Sequence, residues 1–135
     1  MSHLGHVVRV SIISEQWIGA LFRRDVLIYC NEKPCWYGRT IIPFDTYQLR
    51  HKVFDGLSNT PIGTVLYYDP AIKLKRRRFF RWDKHCFDAK LRSQCHQKNK
   101  QLLWARASTF HVDKSPIFLM EMFLPAMEQK ILSYE

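Results

Sequence analysis

The chain has 135 residues, 47% of them hydrophobic and 14% aromatic, with a formal net charge of +9. That length gives one domain with one core, and that composition can fill it, which excludes a chain disordered throughout. No run approaches the ~18 apolar residues of a membrane span, and the opening MSHLGHVVRV lacks the apolar stretch of a signal peptide, so a cytoplasmic protein is expected.

The first strand signal is VVRVSII, where Val8, Val10 and Ile12 alternate with Arg9 and Ser11. RRDVLIYC and CWYGRTII follow, joined by the short polar link NEKP, and should pair as an antiparallel hairpin over residues 23–30 and 35–42. Gly38 inside the second run suggests a bulge or a close backbone approach. Residues 45–57 are helix-compatible, with Tyr47, Val53, Phe54 and Leu57 on one side. In SNTPIGTVLYYDP, Thr60 can cap a short helix, Pro61 suits its first position, and Asp69-Pro70 stops it.

Residues 73–82, KLKRRRFFRW, fit either an exposed strand or the start of a basic helix, and residues 84–101 read as a polar loop with some helix. LWARASTFHV and PIFLMEMFL form a second hairpin around DKS, and residues 126–134 form a short amphipathic tail. Five or six hairpin-linked strands with sparse helices point to an α+β fold, a single antiparallel sheet covered by a few helices.

The charge is local, because residues 73–100 hold eleven basic and two acidic residues and the rest of the chain is neutral. The segment reads as a basic insertion or flap on an ordinary domain. Its clustered aromatics also suit weak contact between residues 73–82 and an anionic membrane surface, or single-stranded nucleic acid, against the plainer reading of a solvated flap. The four cysteines are few for a disulfide framework and should be reduced thiols. His85-Cys86 and Cys95-His96 do not have the spacing of a common zinc finger, so no metal is expected.

In the last strand Ile117, Leu119, Glu121 and Phe123 share one face, while Phe118, Met120, Met122 and Leu124 share the other. Both faces are apolar, which makes this a central strand and leaves Glu121 needing a partner. It is either half of a buried pair with an internal arginine or a carboxylate of raised pKa facing a ligand. Arg24, on the face of Val26 and Ile28, and Arg39, on the face of Tyr37 and Ile41, are the candidate partners. One Arg and one Glu in an apolar cavity suit a small cyclic acid.

RRDVLIYCNEKPCWYGRTIIP, NTPIGTVLYYDP, LWARASTF and PIFLMEMFLP, in that order, resemble the chorismate lyase family, over most of residues 7–127 except the basic segment. The resemblance implies a chorismate lyase-like domain over residues 1–135, with an insertion at 73–100. It implies an enzyme converting chorismate to 4-hydroxybenzoate and pyruvate at the start of ubiquinone synthesis, with no cofactor and no nucleic-acid partner, as a monomer. By that resemblance Arg24 binds the ring carboxylate, the Ile62 backbone N–H meets the same carboxylate, and Glu121 meets the ring hydroxyl. The family also has lid helices ahead of the first strand, where this sequence has only MSHLGH, so the expectation is either a true start lying upstream or a truncated relative of reduced or lost activity. The competing reading is a non-catalytic aromatic-acid sensor, since the ligand-binding domains of one group of bacterial transcription regulators share this sheet and resemble the hairpin that ends in GRTIIP.

Overall fold

The computed structural model of the chain describes residues 8–83 and 102–124. Its strands are β1 (Val8–Ile18), β2 (Leu21–Cys30), β3 (Lys33–Pro43), β4 (Ile72–Asp83), β5 (Leu102–Val112) and β6 (Ser115–Phe123). Three short helices, α1 (Phe44–Leu49), α2 (His51–Asp55) and α3 (Ile62–Tyr68), lie between β3 and β4. The strands form one antiparallel sheet in the order β1-β2-β3-β6-β5-β4.

Local chemistry sets the hairpins. The NEKP link contracts to a two-residue turn, with Asn31 and Glu32 at φ 51° and 66°, because paired left-handed residues match the twist of the strands they join. The β5–β6 hairpin turns at Asp113, φ 55°. Gly38 carries no bulge. It pairs regularly with Val26 and Glu121, and the irregularity of this hairpin falls between Ile28 and Tyr29.

Residues 45–57 form two helices rather than one. The chain breaks at Arg50, φ −134°, whose guanidinium bonds the Asp69 carboxylate beyond α3. Pro61 rather than Thr60 is the N-cap of α3, so the helix starts one place later than expected, and no side chain caps it. Asp69 ends α3 as expected, and its carboxylate accepts a hydrogen bond from the Ala71 N–H at 2.9 Å. The basic run beginning at Lys73 is strand, most of it exposed, at the edge of the sheet. The loop, the tail and the four zinc candidates fall outside the described residues.

The helices cover one face. Phe54, Leu57, Ile62 and Leu66 pack on Phe22, Ile42, Phe110, Ile117 and Leu119, and each such side chain contributes about 1.5–3 kcal/mol on burial. The opposite face buries Leu27, Tyr37, Leu103, Ala105 and Met122. There Asp25 accepts two hydrogen bonds from Arg39, at 2.9 and 3.2 Å, and lies 3.3 Å from Arg23. Burial of Tyr37 beside Asp25 pushes its hydroxyl far above the ordinary tyrosine range.

Asp25 is buried while both arginines are partly exposed, so removing it strands two cations that cannot fully reach water. Asp25→Ala is expected to cost about 3 kcal/mol, near the low end for a broken buried pair. Urea unfolding should show a lower midpoint with an unchanged slope.

Candidate active site

Side chains alternate between the faces of a strand, so residues paired across neighbouring strands point to the same side. Following the register from β2, Arg24 lies opposite Thr40, Thr40 opposite Leu119, Leu119 opposite Ser108, and Ser108 opposite Arg77. Leu119 belongs to the helix-covered core, which fixes the face of the whole row. The next row runs Val26, Gly38, Glu121, Arg106 and Phe79 on the same face. The two rows thus carry three arginines and one carboxylate around small residues, and Gly38 leaves the place beside Glu121 without a side chain.

Arg24 is 1% exposed. The loop before α3 turns through Ser58, φ 48°, and the carbonyls of Ser58 and Thr60 accept hydrogen bonds from Arg24 Nη2 at 2.8 and 3.2 Å. Its Nε and Nη1 are buried with no hydrogen-bond partner. Burial pulls the Arg24 guanidinium below its ordinary value, and Glu15 opposes this weakly, yet arginine stays charged at any physiological pH. Glu15 lies opposite Arg24 on β1, but the hydrogen bonds of Arg24 go to neutral carbonyls, and a buried cation so held costs free energy until an anion bonds it. The same loop leads into Ile62, the first residue of α3, whose N–H is among those without an intrahelical partner.

Glu121 is paired with Arg106, which neither Arg24 nor Arg39 provides. Arg106 Nη2 and Nε lie 2.7 and 2.8 Å from Glu121 Oε1, so both contacts fall on one carboxylate oxygen. Arg39 lies on the opposite face with Asp25. The expectation that Arg24 or Arg39 joins Glu121 is therefore corrected. Arg24 and Glu121 do share a face, one row apart. Arg106 was legible in principle, because a two-residue turn at Asp113 and Lys114 sets 106 against 121, but the turn had first to be located within DKS.

Arg77 closes the first row. Its Nε donates to Ser108 Oγ at 2.9 Å, its guanidinium lies 5.4 Å from the centre of the Tyr67 ring of α3, and its Nη2 is buried without a partner. Burial lowers its pKa, the positive charge of Arg106 lowers it further, and Glu121 opposes both. Among the described residues no group of three or more His, Cys, Asp or Glu side chains could hold a metal ion. No helix there is long and apolar enough to cross a membrane.

The family model for chorismate lyase matches residues 9–132. The chain belongs to the chorismate lyase family. Similar relatives include probable chorismate pyruvate-lyases of a Shewanella species, 32% identical over 110 residues, and of Psychromonas ingrahamii, 29% identical over 103. These alignments cover 82% and 76% of this chain but 58% and 55% of the relatives, so this chorismate lyase-family chain spans little more than half their length.

Similar solved structures include a GntR-family transcriptional regulator from Bacillus cereus, with a TM-score of 0.64 at 13% identity, covering 88% of this chain and 92% of that one. The C-terminal domain of a histidine utilization repressor from Pseudomonas syringae also gives 0.64, at 8% identity, covering 90% and 94%. At such identities the likeness shows that the chorismate lyase-family fold is shared with these domains, and no more.

Removing Arg106 leaves the Glu121 carboxylate unpaired on a central strand. Arg106→Ala should destabilise the protein by about 3 kcal/mol, whereas Arg106→Met combined with Glu121→Leu should cost far less, because a buried pair replaced whole leaves no stranded charge. Thermal unfolding of the two variants beside the parent gives the comparison.

Proposed function

We propose that the chain is a chorismate pyruvate-lyase, converting chorismate to 4-hydroxybenzoate and pyruvate without a cofactor. The observation that carries the reading is Arg24, a fully buried guanidinium with two unmatched donors. A carboxylate is the anion whose geometry suits an arginine fork.

In this reading the ring carboxylate binds Arg24 Nε and Nη1 together with the Ile62 N–H. Glu121 then meets the ring hydroxyl through Oε2, since Arg106 occupies Oε1. The hydroxyl-bearing ring carbon loses its proton, and that electron pair forms a ring double bond as the ether C–O bond breaks. Enolpyruvate leaves and takes up a proton to become pyruvate, while the ring becomes aromatic. The gain of aromaticity drives the step, so the protein supplies chiefly orientation and modest proton management.

The same reading takes the chain as one cytoplasmic, monomeric domain over residues 1–135, with the basic segment 73–100 as an insertion. It feeds ubiquinone synthesis, where weak contact of residues 73–82 with anionic lipid would bring product to the membrane. Phe79, 60% exposed on β4 beside the arginines, is the feature that favours such contact. A non-catalytic acid-binding domain is the second reading, favoured by the fold shared with regulator domains.

Incubation with chorismate should release 4-hydroxybenzoate and pyruvate in equal amounts. Arg24→Ala should lower kcat/KM by about a hundredfold or more, the scale for stranding one partner of a buried charged hydrogen bond. Glu121→Gln with undiminished turnover would exclude proton transfer by Glu121 and leave it as a hydrogen-bond partner. Tight binding of 4-hydroxybenzoate with no turnover of chorismate would favour the acid-binding domain instead.

A further inference from the structure

Arg77 is not among the residues that the lyase reading uses, yet it occupies the far end of the row that begins at Arg24. The residues between them, Thr40, Leu119 and Ser108, are all buried, so the row has a cation at each end and short or apolar side chains in its middle. Four strand spacings separate β2 from β4, about 19 Å at ~4.8 Å each; Arg77 reaches over β5 to Ser108 Oγ, and Arg24 is held by the carbonyls of the loop before α3.

The charges along the two rows are unbalanced. Glu121 is consumed by Arg106, which leaves Arg24 and Arg77 with no hydrogen bond or ion pair to a carboxylate among the described residues, although Glu15 lies opposite Arg24 on β1. Each keeps a buried donor unmatched, Nε and Nη1 on Arg24 and Nη2 on Arg77. Tyr67 and Ser108 hold the Arg77 guanidinium in place from the helix and from the sheet. The site is thus built for two negative charges at a distance from one another, not for one.

We propose that Arg77 anchors the second carboxylate of a dianionic substrate, the enolpyruvyl carboxylate in the lyase reading on which this inference rests. The site then has a direction. The ring carboxylate sits at the closed end, on fully buried Arg24, and the departing three-carbon acid sits at the edge strand, on half-buried Arg77. Cleavage separates the two anions, so the aromatic product keeps the Arg24 contact and loses the Arg77 contact. Arg77 is therefore a specificity determinant that distinguishes substrate from product by charge.

The test measures binding and turnover separately on the 135-residue chain, with chorismate as the dianion and 4-hydroxybenzoate as the monoanion. Arg77→Ala should weaken chorismate binding by about ten- to a hundredfold, the scale of one charge-assisted hydrogen bond, and leave 4-hydroxybenzoate affinity within about twofold. The retained monoanion affinity also shows that the variant is folded. Arg77→Lys, which keeps the charge but loses the fork, should recover part of the loss and serves if the alanine variant does not fold. Arg24→Ala should weaken both ligands. An equal effect of Arg77→Ala on both ligands, or none on either, overturns the proposal, as does failure of the folded parent chain to bind chorismate. Binding of chorismate that depends on Arg77 but yields no pyruvate supports the anchor and overturns the lyase reading alone.

Discussion

The structure depends on the insertion of its last strand between β3 and β5. Each half of the sheet is a set of hairpins that local sequence can build, but β6 joins them and makes its own residues central. A strand in that position must be apolar on both faces, and Ile117 through Phe123 meet this apart from Glu121. The carboxylate is sustained by a neighbour that exists only because β5 is antiparallel to β6, since that pairing sets Arg106 opposite. The same insertion brings Gly38 of β3 beside Glu121 from the other side. Without β6 in the middle, Arg24 and Arg77 would stand on separate sheets.

The adjacent arginines of β2 show how one strand serves two ends. Arg23 and Arg24 point to opposite faces by the alternation of the pleat. On Arg23's side, the Asp25 carboxylate meets two arginines, which still leaves one net positive charge and the Arg23 Nε buried without a hydrogen-bond partner. On Arg24's side the partners are neutral carbonyls. The arginines paired with a carboxylate and the arginine held by carbonyls are thus separated by the thickness of the sheet. A guanidinium paired with a carboxylate costs folding less than one held by carbonyls alone, a cost that the helix-covered core must offset.

Much of this was legible in the sequence. The period-two alternation in RRDVLIYC assigned Arg24 and Arg23 to their faces, and the two-sided apolarity around Glu121 marked β6 as central. Pairing was legible only between strands joined by a tight turn. The β3–β6 contact joins residues about eighty positions apart and leaves no local signal, so the place of Gly38 beside Glu121 was hidden, whereas Arg106 follows from the β5–β6 turn once that turn is set at Asp113 and Lys114. Arg77 was hidden for a different reason. Within KLKRRRFFRW six cations stand close together, and a register shift between Leu74 and Arg76 resets which of them faces inward. The break at Arg50, which splits the expected helix, coincides with a side-chain bond to Asp69 nineteen residues away, a contact with no local signal.

The shared fold narrows the function less than the rows do. Domains of the same architecture at 8% and 13% identity belong to transcription regulators, so the fold alone does not decide the function. What separates a sensor from a lyase on such a fold is where charge is left unmet. One open arginine suffices to hold an acid. A second open arginine at the other end of the same row, with a carboxylate between them committed to a third arginine through one oxygen, fits a ligand with two acidic ends and a polar group in its middle. In the proposed reading such a molecule is held at three points, an arrangement that serves to orient a bond for cleavage.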